Sequence, residues 1–169
     1  MRFFLTGFMG CGKTFWARQW SQASGLKCYD LDHEIEQRER QSVTALFKER
    51  GEDAFRLLER DTLRTFLKLD NYIMSCGGGT PCFFDNMERM NAAGITIYLK
   101  SSVPELVERL RQEKETRPLI RDVSGELLDE FITARLELRR GCYSQSMFHL
   151  HTRHLSNENF ERIYRRYAK

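Results

Sequence analysis

Residues 7–14 read GFMGCGKT and follow the apolar run RFFLT at residues 2–6. The spacing fits G-x-x-x-x-G-K-[ST], with Gly7, Gly12, Lys13 and Thr14 in the fixed positions. Glycines let the backbone fold into a concave nest of N–H donors that suits anionic oxygens. A helix starting after Gly12 would add the positive end of its dipole. Lys13 is then suited to neutralise β- and γ-phosphate charge, and Thr14 to offer a hydroxyl to Mg2+. Gly10, Cys11, Gly12 and Phe15 complete the nucleotide-facing set. A glycine turn with an incidental lysine is the plain alternative. A strand before the loop and a helix after it argue against that alternative.

Working outward, apolar runs bounded by glycine or polar residues alternate with helical patterns. Strands are predicted at Arg2–Thr6, Cys28–Leu31, Tyr72–Cys76, Ile95–Leu99 and Met147–His151. Helices are predicted at 12–24, 35–40, 43–69 with a break at Gly51, 85–93, 103–112, 127–140 and 157–168. Gly25 and Gly94 stop two of them, and Pro104 sits in a first turn, where proline is tolerated. This alternation implies an α/β fold: a P-loop NTPase-like three-layer sandwich with a five-stranded parallel sheet and helices on both faces. Such sheets bind ligands beyond the carboxyl ends of their strands. The charged stretch EKETRPLIRDVSG, residues 113–125, interrupts the pattern and reads as a mobile lid of about 112–125.

Bulk properties narrow the class. A chain of 169 residues is read as one domain. Net charge is only +3, from 27 Lys and Arg against 24 Asp and Glu. A dedicated nucleic-acid binder carries a larger basic excess, so no nucleic-acid partner is expected. No run of eighteen apolar residues suggests a membrane span, and the N-terminus does not read as a signal peptide. The five cysteines, Cys11, Cys28, Cys76, Cys82 and Cys142, form no C-x-x-C pair. They are expected to be free thiols in a reducing cytoplasm.

Four further groups carry chemistry. YDLDHE sets Asp30 and Asp32 after the second strand, where an extended i, i+2 pair would point the same way. Two acids there suit metal-water ligation and hydroxyl activation, although Asp is also a good helix N-cap. In FKERGEDAFRLLE, Arg56 and Glu59 lie three apart on one helical face. That pair could present the arginine fork to an anion or be an ordinary surface ion pair. Gly77, Gly78 and Gly79 follow the third strand; either a ligand approaches their backbone or they form a flexible turn. Arg117 lies in the interrupting segment, where it could reach a transferring phosphate. His149 and His151 share a strand face, but no Cys or carboxylate cluster joins them, and a structural role is expected.

In this order the motifs resemble one family, the shikimate kinases, along nearly the whole chain. They are GxxxxGKT, the Asp30/Asp32 pair, F-x-x-x-G-E-x-x-F-R-x-x-E from Phe47 to Glu59, the Gly77–Gly79 run, Arg117–Leu119, and Arg139 with Tyr143. The resemblance implies an ATP:shikimate phosphotransferase using Mg2+, a cytoplasmic monomer with shikimate as its small-molecule substrate. It implies that Asp32 orients or deprotonates the attacking hydroxyl and that Asp30 binds a magnesium-bound water. Arg56 and Arg139 would clamp the substrate carboxylate, Glu59 would hold Arg56, and Gly78 would meet substrate through its backbone. Phe47 and Phe55 would wall a substrate segment of about 32–60, Arg117 would close over the phosphates, and Arg111 would pack on adenine. The family usually reads R-x-P-L-Y where this chain has Arg139-Arg140-Gly141-Cys142-Tyr143. Either Arg139 or Arg140 can therefore take the clamp role. The adenine-side residues near 152–156 are left unassigned. Competing readings are another small-metabolite kinase, such as a gluconate kinase, a nucleoside monophosphate kinase, or a nucleotide-binding module that has lost catalysis.

Overall fold

The computed structural model describes residues 1–113, 120–121 and 123–167. Five parallel strands form one sheet: β1 (Arg2–Thr6), β2 (Lys27–Asp30), β3 (Tyr72–Ser75), β4 (Ile95–Lys100) and β5 (Phe148–His151), in the order β2-β3-β1-β4-β5. The helices are α1 (Lys13–Ser24), α2 (Leu31–Glu39), α3 (Val43–Phe66), α4 (Asn86–Ala93), α5 (Val103–Glu113), α6 (Leu128–Tyr143) and α7 (Asn157–Tyr167). Short 3-10 turns lie at Thr80–Cys82 and Thr152–His154.

Side chains on a strand alternate between its faces, and β1 shows this directly. Phe3 and Leu5 pack with Trp20 of α1, Leu106 and Leu110 of α5, and Phe160 of α7. Phe4 packs on the opposite face with Leu31 of α2, Leu46 and Leu63 of α3, and Met90 of α4. Both faces of the sheet are thus covered, which explains why the strands read as continuous apolar runs. Among the described residues no helix is long and apolar enough to cross a membrane.

The structure bears out one expectation and departs from two. Gly51 (φ 79°, ψ 173°) has non-helical dihedrals and kinks α3 at the predicted interruption. Helix α2 begins at Leu31 rather than near Ile35, so Asp32 sits in a first helical turn and not on an extended stretch. The expectation of five free thiols is corrected: Cys82 and Cys142 form a disulfide, and Cys11, Cys28 and Cys76 are free. The 3-10 turn packs beside α6, bringing the two Cα atoms to 5.4 Å, within disulfide reach. A separation of 60 residues hid this pairing from a reading based on short spacings. Residues 114–119 and 122 of the expected lid, and with them Arg117, lie outside the described residues.

Candidate active site

Neighbouring strands β2, β3 and β1 end side by side, so the residues that follow them line one cavity of about 730 Å³. The glycine loop forms its floor. Gly12 (φ 92°) is left-handed and immediately precedes α1, a conformation costly for any side chain. The turn leaves the amide end of α1 facing the cavity. Lys13 is buried, and its Nζ donates to the Gly7 and Phe8 carbonyls, both at 2.9 Å. Gly10, Cys11, Gly12, Thr14 and Phe15 line the same floor.

Asp30 serves two roles that the sequence presented as alternatives. Its Oδ1 caps α2 by accepting from the Asp32 and His33 amides at 3.2 and 3.4 Å. Its Oδ2 accepts from the Thr14 hydroxyl at 2.6 Å, and Thr14 Oγ1 lies 3.1 Å from Ser75 Oγ. Among the described residues no group of three or more His, Cys, Asp or Glu is arranged to hold a metal. A hydroxyl beside one carboxylate fits Mg2+ instead, which keeps most of its waters and shares substrate phosphates. Asp32 also lines the cavity. Burial pushes its carboxyl up to about 7; the Glu59 and Asp30 charges push the same way, against Lys13 and Arg56.

The Arg56–Glu59 pair is not a surface ion pair. Arg56 is 4% exposed and Glu59 0%, with Nη1 to Oε2 at 2.9 Å. Arg56 also donates to Glu52 at 2.8 Å, and its guanidinium lies 4.3 Å from the Phe83 ring centroid. Thr80 donates to the second Glu59 oxygen at 2.5 Å. A buried arginine with this many anchors keeps its fork in one orientation. Phe47 and Phe55 pack against each other with ring centroids 4.5 Å apart, lie 5.7 and 5.5 Å from the guanidinium, and line the cavity.

The glycine run makes this packing possible. A Cβ on Gly77 would meet Glu59 Oε1 at 2.5 Å and Asp32 Oδ1 at 3.0 Å. One on Gly79 would meet the Arg56 guanidinium at 2.5–2.6 Å. Gly79 has an ordinary φ of −90°, so its constraint is space rather than dihedral freedom. Gly79→Ala is expected to displace Arg56 and raise KM for an anionic acceptor at least about tenfold, as for a lost charge-assisted hydrogen bond. KM for the nucleotide should stay within about twofold, and steady-state kinetics with each substrate varied checks both.

Helix α6 runs unbroken through Gly141 to Tyr143 and turns Arg139 and Arg140 to different surroundings. Arg139 is 6% exposed and lines the cavity, whereas Arg140 is exposed and pairs with Glu137 at 3.5 Å. Arg139 Nη1 is buried with no hydrogen-bond partner among the described residues, and it lies 3.5 Å from where a Gly78 Cβ would sit. A buried cationic donor is costly unless an anion meets it.

Arg111 is not among the described residues lining this cavity; it lines a second one with Ser124, Gly125, Glu126 and Leu128. Arg109 lines the main cavity in its stead, its Nη1 donating to the Gly10 carbonyl at 3.2 Å. Two residues along a helix turn a side chain by roughly 200°, so a slip of two positions moves it to the other face. Thr152 also lines the cavity, held 2.7 Å from Ser101 Oγ. Ser75, Thr80, Arg109 and Thr152 were not singled out from the sequence. Only Arg109 carried a signal there, as a second arginine beside Arg111 in α5. Among the described residues, His149 and His151 belong to no metal-binding group.

A family profile described as shikimate kinase matches residues 9–168. A shikimate kinase from Parabacteroides distasonis is 48% identical over 145 residues, covering 86% of this chain and 84% of the relative. The crystal structure of a shikimate kinase from Bacteroides thetaiotaomicron superposes with a TM-score of 0.91 at 37% identity, covering 100% of this chain and 99% of that one. A shikimate kinase from Acinetobacter baumannii, solved in complex with shikimate, gives 0.88 at 26% identity, covering 99% and 95%.

Proposed function

The chain belongs to the shikimate kinase family, and on that footing we propose how its residues divide the transfer of the ATP γ-phosphoryl group to the 3-hydroxyl of shikimate. The observation that carries the assignment is the buried, unpartnered Arg139 Nη1 beside Gly78. It shares a cavity with the anchored Arg56 fork and opens onto the phosphate loop. Two guanidinium groups suit one planar carboxylate, and the acid between them and the loop suits an adjacent hydroxyl.

In-line phosphoryl transfer asks mainly for positioning and charge stabilisation. Arg56 and Arg139 hold the carboxylate, while the Gly77–Gly79 backbone limits the ring's approach. Asp32 accepts the proton of the 3-hydroxyl as the oxygen attacks. A carboxyl near 7 is matched to that task, since a general base works best with a pKa close to the operating pH. The loop amides and Lys13 stabilise negative charge on the phosphoryl oxygens. Thr14 and Asp30, already hydrogen-bonded to each other, are the residues that would hold Mg2+, and the ion would add further neutralisation of phosphate charge. Arg109 takes the base-packing role that the sequence resemblance had given to Arg111. Arg117 keeps its proposed place over the phosphates on the strength of the family resemblance alone. The small net charge of +3 favours small-molecule substrates over nucleic acid, and a cytoplasmic monomer is carried over from the family resemblance.

A coupled ADP-release assay over shikimate, gluconate and a nucleoside monophosphate tests the acceptor. Shikimate is expected to exceed both others by at least about 10³ in kcat/KM, the scale set when buried polar groups must be matched by the substrate. Faster turnover of either rival would overturn the reading, and no turnover at all would favour the lapsed module.

A further inference from the structure

Tyr143 is completely buried at the end of α6, and its ring stacks on Tyr98 of β4 at a centroid distance of 5.0 Å. Its hydroxyl donates to the Gly78 carbonyl at 2.6 Å, across 65 residues of sequence. Arg139 lies one turn earlier on the same helix, four residues away, the spacing at which helical side chains meet. Burial pushes the tyrosine hydroxyl up, and the guanidinium of Arg139 beside it acts in the opposite direction. The phenol therefore stays neutral and keeps its proton for Gly78. The Tyr143 hydroxyl and the Arg139 guanidinium thus meet at the same residue of the acceptor site: the hydroxyl bonds the Gly78 carbonyl, and Arg139 Nη1 lies 3.5 Å from where a Gly78 Cβ would sit.

A trans peptide carries its C=O and N–H on opposite sides of the plane. Fixing the Gly78 carbonyl toward Tyr143 turns the Gly79 N–H to the other side. Among the described residues that N–H has no backbone acceptor, and Gly79 lines the cavity against Arg56. We propose that Tyr143 is a positioning residue for carboxylate recognition: its hydroxyl sets the Gly78–Gly79 peptide and the Arg139 guanidinium in one shared arrangement. This rests on the reading of Arg139 as a carboxylate clamp.

Tyr143→Phe keeps the stacked ring and deletes only the hydroxyl. Its expected effect is a rise of about tenfold in KM for shikimate, the scale of one lost buried hydrogen bond. KM for ATP should stay within about twofold and Tm within about 4 °C. A shikimate analogue bearing a hydroxymethyl group in place of the carboxylate should show the same kcat/KM in both proteins. In an Arg139→Ala background the substitution should add little further loss, because the two side chains act as one unit. A similar loss on the analogue, or an equal loss for ATP, would overturn the proposal and leave Tyr143 a packing residue. If Arg139→Ala alone leaves KM for shikimate unchanged, the clamp reading fails whatever Tyr143→Phe does.

Discussion

Asp32→Asn is expected to lower kcat on shikimate about 10³-fold, the loss typical of removing a general base, while KM for ATP moves less than about twofold. The same substitution should stabilise the ligand-free protein at pH 8. The folded state raises the Asp32 carboxyl from 3.8 to about 7, so between those values the native state holds a proton that the unfolded chain has released. Stability contributed by this group is full below about pH 4 and is lost as pH rises through about 7. An asparagine is neutral throughout and escapes that loss. The Tm advantage of Asp32→Asn should therefore be absent near pH 4 and reach about 10 °C at pH 8. The kcat/KM of the wild type should fall about tenfold per unit as pH drops below about 7. Thermal melts and pH-rate profiles check the two halves separately. A variant that loses activity without gaining stability at pH 8 would show that Asp32 is not held in a charge-penalising site.

The second large effect is expected at Arg139. Removing one side of a buried charge-assisted pair costs about 3 kcal/mol, so Arg139→Ala should raise KM for shikimate about 10²-fold and leave KM for ATP nearly unchanged. Arg140→Ala should change neither beyond about twofold, because Arg140 is exposed and pairs with exposed Glu137. The reverse pattern would mean that the helix register through Gly141 differs from that of α6.

The phosphate loop was fully legible in the sequence because each position in it admits few residue types. Gly7, Gly12, Lys13 and Thr14 mark the loop between β1 and α1 by identity and spacing. The strand–helix alternation was legible too, since a sheet buried on both faces leaves unbroken apolar runs. Burial was harder to read. Arg56 and Glu59 look the same on a solvated helix face as in a core, and what buries them comes from Phe83 and Thr80, more than twenty residues on. Asp32 was expected on an extended stretch and instead lines the cavity from a first helical turn, because Asp30 caps α2 and ends the strand a residue earlier than the alternation suggested. Arg139 became distinguishable from Arg140 only once Gly141 was seen to continue the helix rather than end it. Arg109 and Arg111 differ only by helical phase at the edge of the interrupting segment. The Cys82–Cys142 bond depends on how the 3-10 turn meets α6, which no local pattern encodes.

The measurement that bears most directly on the account is proton–phosphorus correlation NMR of the product formed from shikimate and Mg-ATP. The wild type is expected to give one phosphate monoester coupled to the proton at carbon 3, and Asp32→Asn to give no detectable ester over the same interval. A phosphate on another hydroxyl, or undiminished ester from Asp32→Asn, would contradict the placement of Asp32 between the carboxylate clamp and the phosphate loop.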